Sequence, residues 1–195
     1  LIISPLSTMK SVWYNEIMLN MPHRKVAIAH GARPVRVSII KSPVPEFTII
    51  NHDGIKSVED ELIAEKFDII IIDELTAYKS HSSERSKCME RIAKSVRAVW
   101  GMTGEITPNS PLEAYFPTKI VNPSSKYLPK FFTQFRDACM TKINELVYVP
   151  KPIAPQIVAM CVQPAIRFTR EQCLDLPDTM YQQMEVPLTP LQTQH

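Results

Sequence analysis

The stretch "FDIIIIDELT", residues 67–76, constrains this chain more than any other, because four consecutive isoleucines run directly into two acids. An apolar run of this length without polar alternation fits a strand buried on both faces, as parallel strands covered by helices are. Asp73 and Glu74 then stand at the carboxyl end of that strand. In open α/β sheets this is the edge where ligands bind, since its loops carry chemistry while the strands stay packed.

The order of patterns around this strand is regular. "LIIS" reads as a strand, and "LSTMKSVWYNEIML" sets Leu6, Met9, Trp13 and Ile17 at helical spacing. "KVAIAH" and "EFTIIN" read as strands, "SVEDELIAEK" as a helix, and "SSERSKCMERIAKSV" as a helix opened by Ser82 or Ser83. "RAVWGMTG" is a strand ending in Gly104. Strands alternating with helices predict a doubly wound parallel sheet, an α/β fold with helices on both faces. Beyond residue 100 the texture changes, with 12 of the 17 prolines there. "SPLEAYFPTKIVNP" and "PKFFTQFRDACMTKI" read as helical pieces, while "VPKPIAPQ" excludes a regular helix and makes 147–165 a largely irregular connector.

Composition narrows the classes. The 195 residues, 45% of them hydrophobic, suffice for one good core. A formal charge of +2 does not by itself advertise a nucleic-acid partner, so any basic surface must be local. No apolar stretch approaches the roughly 20 residues needed to cross a bilayer, and the start lacks the order of a signal peptide, which makes the cytoplasm the default compartment. Cys88, Cys139, Cys161 and Cys173 form no C-x-x-C pair and read as reduced thiols. Trp13 and Trp100 sit inside apolar patterns and read as core residues.

Asp73 and Glu74 admit two readings. They can merely end a strand as hydrated acids. Alternatively, Asp73 holds a magnesium ion through its water shell, and Glu74 orients or deprotonates the water that attacks a γ-phosphate. The basic helix is equally two-sided. Between Lys79 and Arg97 stand Lys79, Arg85, Lys87, Arg91, Lys94 and Arg97 against Glu84 and Glu90. This is either a solvated face with helix-spaced ion pairs or a track for a DNA backbone.

The company these residues keep carries a resemblance. "IIIIDELTAYKSHSSERSKCMERI" resembles the second helicase motif and following helix of the Swi/Snf-related branch of superfamily two helicases. In the family's order, "LIISPLSTMKSVWYNEI" resembles the strand and helix after the phosphate loop, "AHGARPVR" the next strand end, and "FTIINHDGI" the strand leading to a DNA-facing loop. "VWGMTGEITPNSPLEAYFPTKIVNP" resembles the third motif, "FFTQFRDACM" the stretch beyond it, and "IRFTREQCLDLPDTMYQQMEVPLTPLQTQ" the segment leaving the first motor lobe. The "DELT" and "TPNSPLEAY" variants lean toward phage-encoded members.

The resemblance implies a first RecA-like lobe of an ATP-dependent DNA translocase or helicase, acting on duplex DNA with ATP and Mg2+. Residues 1–146 are then a partial lobe, and 147–195 a connector and exit segment toward a missing second lobe, with Arg167 and Arg170 in the exit. Asp73 and Glu74 take the catalytic positions, Asp73 holding the metal through water. Thr103 and Gly104 match the segment coupling nucleotide state to DNA grip. Ser4, Pro5, Asn51, His52 and Lys79 match DNA-backbone contacts.

Three departures accompany the match. Leu75 and Thr76 stand where the family often has alanine or glycine and then histidine. Glu105 and Ile106 replace the end of T-G-T-P, and a carboxylate near phosphates repels them unless it points away. No G-x-x-x-x-G-K-[ST] occurs among only four glycines, which makes the chain an expected fragment starting after the phosphate loop, its sheet incomplete at the N-terminal end. A non-catalytic degenerate lobe that binds DNA or protein is the alternative, and an RNA helicase fragment the runner-up among enzymes.

Overall fold

Alternation along three short strands sorts the isoleucines onto two faces of one sheet. The computed structural model describes residues 1–80, 82–145 and 147–173. Strands β1 (Ile2–Ser4), β2 (Val26–Ile28), β3 (Phe47–Asn51), β4 (Ile69–Asp73) and β5 (Ala98–Met102) form a five-stranded sheet in the order β2-β3-β1-β4-β5. Every pairing in it is parallel. Because successive side chains of a strand point to opposite faces, Ile3, Ile50, Ile70 and Ile72 enter the main core. Ile2 and Ile49 enter a second cluster on the other face, where Ile71 packs against them half-buried. Each isoleucine fully buried in this way contributes about 1.5–3 kcal/mol.

Helices α2 (Arg33–Ile40), α3 (Glu59–Ala64), α4 (Glu84–Ala93) and α5 (Tyr115–Val121) supply residues to the main core. On the opposite face lies a π-type helical stretch, Met9–Tyr14, that runs into α1 (Asn15–Asn20). Its Met9 and Ile17 cover Ile2 and Ile49. This second cover does not reach β5, where Trp100 is 58% and Met102 48% exposed. Trp100 is therefore not a core residue, since the face it shares with its register partner Ile71 is left bare at the sheet edge.

Local signals fixed several boundaries. The Ser83 hydroxyl accepts the Ser86 N–H at 3.2 Å and caps α4, an interaction typically worth about 1 kcal/mol. Helix α2 carries a start signal that the strand-end reading of "AHGARPVR" overlooked. Gly31, at φ +103°, turns the chain out of β2, and Pro34 occupies the first helical turn, where a missing N–H costs nothing.

The second correction concerns 147–165. There the hairpin strand β7 (Tyr148–Pro150) pairs antiparallel with β6 (Met140–Lys142), and α7 (Ala154–Cys161) follows. Pro155 stands in the first turn of α7, the one part of a helix that tolerates proline, so "VPKPIAPQ" ends in a helix start. Helices α6 (Phe132–Cys139) and α7 build their own cluster around Phe135, Cys139, Val158 and Cys161.

The compact unit runs from Leu1 to Gln163, and the described residues from Pro164 to Cys173 belong to a second unit. In the latter, α8 (Arg170–Cys173) is preceded by the exposed Ile166 and Phe168. His81 and the "LP" and "LTP" portion of the exit segment, 174–195, lie outside the described residues. Among the described residues no helix is long and apolar enough to cross a membrane, and all four cysteines are free.

Candidate functional site

Parallel register places the predicted residues along one rim. Ser4 is the register partner of Asn51, and Asp73 of Met102, so the turns after β1, β3, β4 and β5 all leave the sheet at its carboxyl edge. Asp73 is the last residue of β4, and Glu74 swings away from the strand in the left-handed region, at φ 55° and ψ 63°. For a residue with a side chain this conformation costs on the order of 1–2 kcal/mol. Such strain persists where the surroundings over-determine it.

Hydroxyls and one indole hold the two carboxylates. Trp13 Nε1 donates to Asp73 Oδ2 at 3.0 Å, and Thr8 Oγ1 reaches the same oxygen at 3.5 Å. Glu74 Oε1 accepts from Thr76, and Thr103 Oγ1 lies 3.0 Å away across the β4–β5 boundary. Thr103 has one hydroxyl proton, which the Glu105 carbonyl 3.2 Å away also attracts. Among the described residues neither Asp73 nor Glu74 forms an ion pair with a cation.

The acids therefore emerge at the open rim beside Thr103, as the sequence leads one to expect. Trp13, half-buried, is an acid-orienting residue that sequence reasoning missed. Its helical spacing predicts core packing, and the ring does pack against the Ile2, Met9, Ile17 and Ile49 cluster, but nothing in its sequence neighbourhood signals a partner 60 positions away.

Leu75 has a structural counterpart. A Cβ at Gly101 would come 2.5 Å from Leu75 Cδ2 and 2.9 Å from Val121 Cγ2, so the leucine fills the space that the glycine leaves on β5. Gly104, by contrast, has nothing among the described residues within 4 Å of where a Cβ would lie.

The residues matched to DNA contacts divide in two. Pro5 is half-buried and Lys79 exposed at the rim, and Lys79 Nζ pairs with Glu113 Oε1 at 2.8 Å. Ser4 is fully buried, and Asn51 and His52 are nearly so, at 8% and 7% exposure. Asn51 Oδ1 accepts from Arg36 Nη1 at 2.9 Å, and the Ser4 carbonyl accepts the His52 N–H at 3.3 Å. Their observed work is to tie the ends of β1 and β3 together and to the α2 start.

His52 joins this rim to the acid turn. Its Nδ1 lies 2.8 Å from the buried Tyr78 hydroxyl, on the single 3-10 turn Leu75–Tyr78 that follows the acids. Its Nε2 is buried and, among the described residues, has no hydrogen-bond partner. Burial, then the nearby Arg85 guanidinium, hold the imidazole below its ordinary 6.5, against the pull of Asp73 and Asp53. Burial also pushes the Tyr78 phenol well up.

A histidine kept neutral in the fold takes up a proton on unfolding, so stability falls as pH drops below 6.5 toward the depressed folded value. Urea unfolding between neutral and mildly acid pH should show this slope, and His52→Gln should flatten it. An unchanged slope in that variant would assign the acid sensitivity to other groups.

The basic helix is paired more widely than helix spacing predicts. Only Lys87 with Glu84 and Lys94 with Glu90 pair within α4. Arg85 reaches Asp53, and Arg91 reaches Glu59, in other elements. Exposed pairs of this kind are worth about 0–1 kcal/mol. A polyanion could therefore displace them at little cost.

Magnesium suits the donor set. It commonly keeps several waters and uses one or two carboxylates with substrate phosphates. Among the described residues, the bonds to the Asp73 carboxylate all fall on Oδ2 and leave Oδ1 to face a metal's water shell. Among the described residues no three His, Cys, Asp or Glu side chains cluster into an all-protein cage.

No protein-family model matches the chain, and no curated protein does. Among solved structures, the chain is similar to the SWI2/SNF2 ATPase core of Sulfolobus solfataricus in complex with dsDNA, with a TM-score of 0.57 and 21% identity. The match covers 70% of this chain and 27% of that one, so the chain spans about a quarter of the length of the protein it resembles. Sheet order and this likeness together establish the fold, an α/β RecA-like parallel sheet of the kind found in SWI2/SNF2 ATPase cores.

Proposed function

We propose that this chain is part of the first motor lobe of an ATP-dependent DNA translocase or helicase of the Swi/Snf-related branch, phage-type in its motif variants. The observation that carries the reading is the acid pair at the carboxyl rim, with Glu74 hydrogen-bonded across the sheet to Thr103. In this reading Asp73 holds Mg2+ through water, and Trp13 fixes its carboxylate. Glu74 orients or deprotonates the attacking water, and the metal supplies charge neutralisation on the nucleotide phosphates. Thr103 and Gly104 relay the state of that site along the rim to DNA.

The phosphate-binding loop is supplied by sequence outside this chain. The bare face and open edge of β5, with Trp100 and Met102 exposed, offer a place for the strand that bears it. A second RecA-like lobe completes the motor. Duplex DNA runs along the rim past Pro5 and Lys79, while Ser4, Asn51 and His52 support the turns from beneath. DNA-stimulated ATP hydrolysis by the polypeptide that includes the phosphate loop tests the reading, and ATP turnover indifferent to DNA would remove it.

One observation favours a second reading, a non-catalytic DNA- or protein-binding lobe. The chain itself has no G-x-x-x-x-G-K-[ST]. Absence of that loop from the whole reading frame would decide for it.

Lys79→Ala should weaken duplex binding by a similar factor on unrelated sequences and lower the slope of log affinity against log salt by about 1. Titration of labelled duplexes at several salt concentrations measures this. An effect confined to one sequence would argue against a backbone contact.

A further inference from the structure

A second cationic surface lies away from the acids. Between Lys126 and Lys151 stand five cations, Lys126, Lys130, Arg136, Lys142 and Lys151, against Asp137 and Glu145. That excess is larger than the +2 of the entire chain. Three of the five converge on an open cleft of about 450 Å3 formed by α6 and the β6–β7 hairpin, with Thr141 and Tyr148 in its wall.

The cleft is built rather than incidental. Lys142 and Tyr148 are register partners in the antiparallel hairpin and so stand side by side on one face of it. The Arg136 guanidinium lies 4.8 Å from the centre of the Tyr148 ring and pairs with Asp137 Oδ1 at 2.9 Å. Lys151 Nζ donates to the Asp137 carbonyl at 2.6 Å, which uses one of its three N–H groups. Asp137 is thus neutralised by Arg136, and Lys151 is anchored with donors to spare. Lys142 is exposed and, among the described residues, forms no ion pair.

The chemistry selects the ligand. Two uncompensated ammonium groups suit phosphate oxygens. The aromatic ring in the wall is half-buried and has the Arg136 guanidinium over one face, which makes it a poor platform for a stacked nucleobase. Backbone contact to a duplex fits these donors better than base readout. The location agrees, because α6 packs against the 3-10 turn Pro111–Ala114, whose Glu113 holds the rim lysine Lys79.

We propose that this cleft is a second phosphodiester-binding site, which extends the DNA track from Lys79 across the 3-10 turn onto the hairpin. The inference rests on duplex DNA being the partner, as in the reading above. Lys142 and Lys151 contact consecutive or neighbouring phosphates, and Arg136 braces the hairpin through Tyr148.

The test measures binding of short labelled duplexes of unrelated sequence to the whole chain by fluorescence anisotropy over a range of salt. Lys142→Ala should weaken binding about fivefold at low salt, alike on all sequences, and lower the salt slope by about 1. Lys142→Arg should restore both. Because the Lys142 side chain forms no ion pair among the described residues and its backbone pairing survives substitution, circular dichroism and melting should be unchanged. Lys79→Ala is measured beside it. Loss at Lys79 with none at Lys142 overturns the cleft and leaves the translocase reading standing. Loss at Lys142 with none at Lys79 keeps the cleft and moves the track away from the rim. Failure of the unaltered chain to bind any duplex at low salt overturns the cleft, and DNA-stimulated ATPase of the longer polypeptide then judges the motor reading separately.

Discussion

Glu74→Gln, in a polypeptide that supplies the phosphate loop, should lower DNA-stimulated ATP turnover by about 10²–10⁴-fold, the usual effect of removing a positioned general base. The amide oxygen of glutamine can still accept from Thr103 and Thr76, so the left-handed turn at Glu74 keeps both of its hydroxyl partners. What disappears is the negative charge that draws a proton from water. Nucleotide binding should survive, since phosphate contacts come from elsewhere. Steady-state hydrolysis with and without duplex, together with an equilibrium nucleotide titration, separates these quantities. Turnover equal to that of the unaltered protein would strip Glu74 of its role. Loss of nucleotide binding as well would point to a role in holding the ligand.

The largest stability effect is expected at the contact between Leu75 and Gly101. Gly101→Ala places a methyl group 2.5 Å from Leu75 Cδ2 and 2.9 Å from Val121 Cγ2, closer than carbon atoms approach. Overpacking of this type costs about 1–3 kcal/mol. For a chain of this size that is a fall in Tm of about 2–10 °C. Leu75→Ala alone opens a gap and should also destabilise. The two together should cost clearly less than their sum, because each removes the clash or void the other creates. Strict additivity in thermal melts would mean that Leu75 does not fill the space over Gly101. The contact also accounts for a departure noted from sequence, since a leucine after the acids is accommodated by a glycine on the neighbouring strand.

Much of the rim was legible before any coordinates. Strand and helix patterns are local, and in a parallel sheet they place every strand end on one edge, so Asp73 and Glu74 came out beside Thr103 as their positions implied. Less legible was the rest of the site. Trp13 packs on the core as its helical spacing predicts, but that spacing says which face a residue shares, not what its indole N–H meets. Ser4, Asn51 and His52 are matched to DNA contacts by position, and the fold adds what sequence does not show: the Asn51 amide meets Arg36, the His52 ring meets Tyr78, and the Ser4 hydroxyl donates to the Pro5 carbonyl. The connector was misread because a proline in the first turn of a helix resembles, in sequence, a proline that prevents one.

The amino-acid order by itself determined the α/β class, the buried strand that ends in two acids, a serine at 82 or 83 that opens α4 and the local basic excess, because each depends on residues a few positions apart. Tertiary structure alone decided which distant groups meet. It set Trp13 against Asp73, Thr103 against Glu74, Leu75 over Gly101 and Arg136 over Tyr148. Those meetings follow from strand register and from how helices cross the sheet, and neither is written into any short stretch of chain.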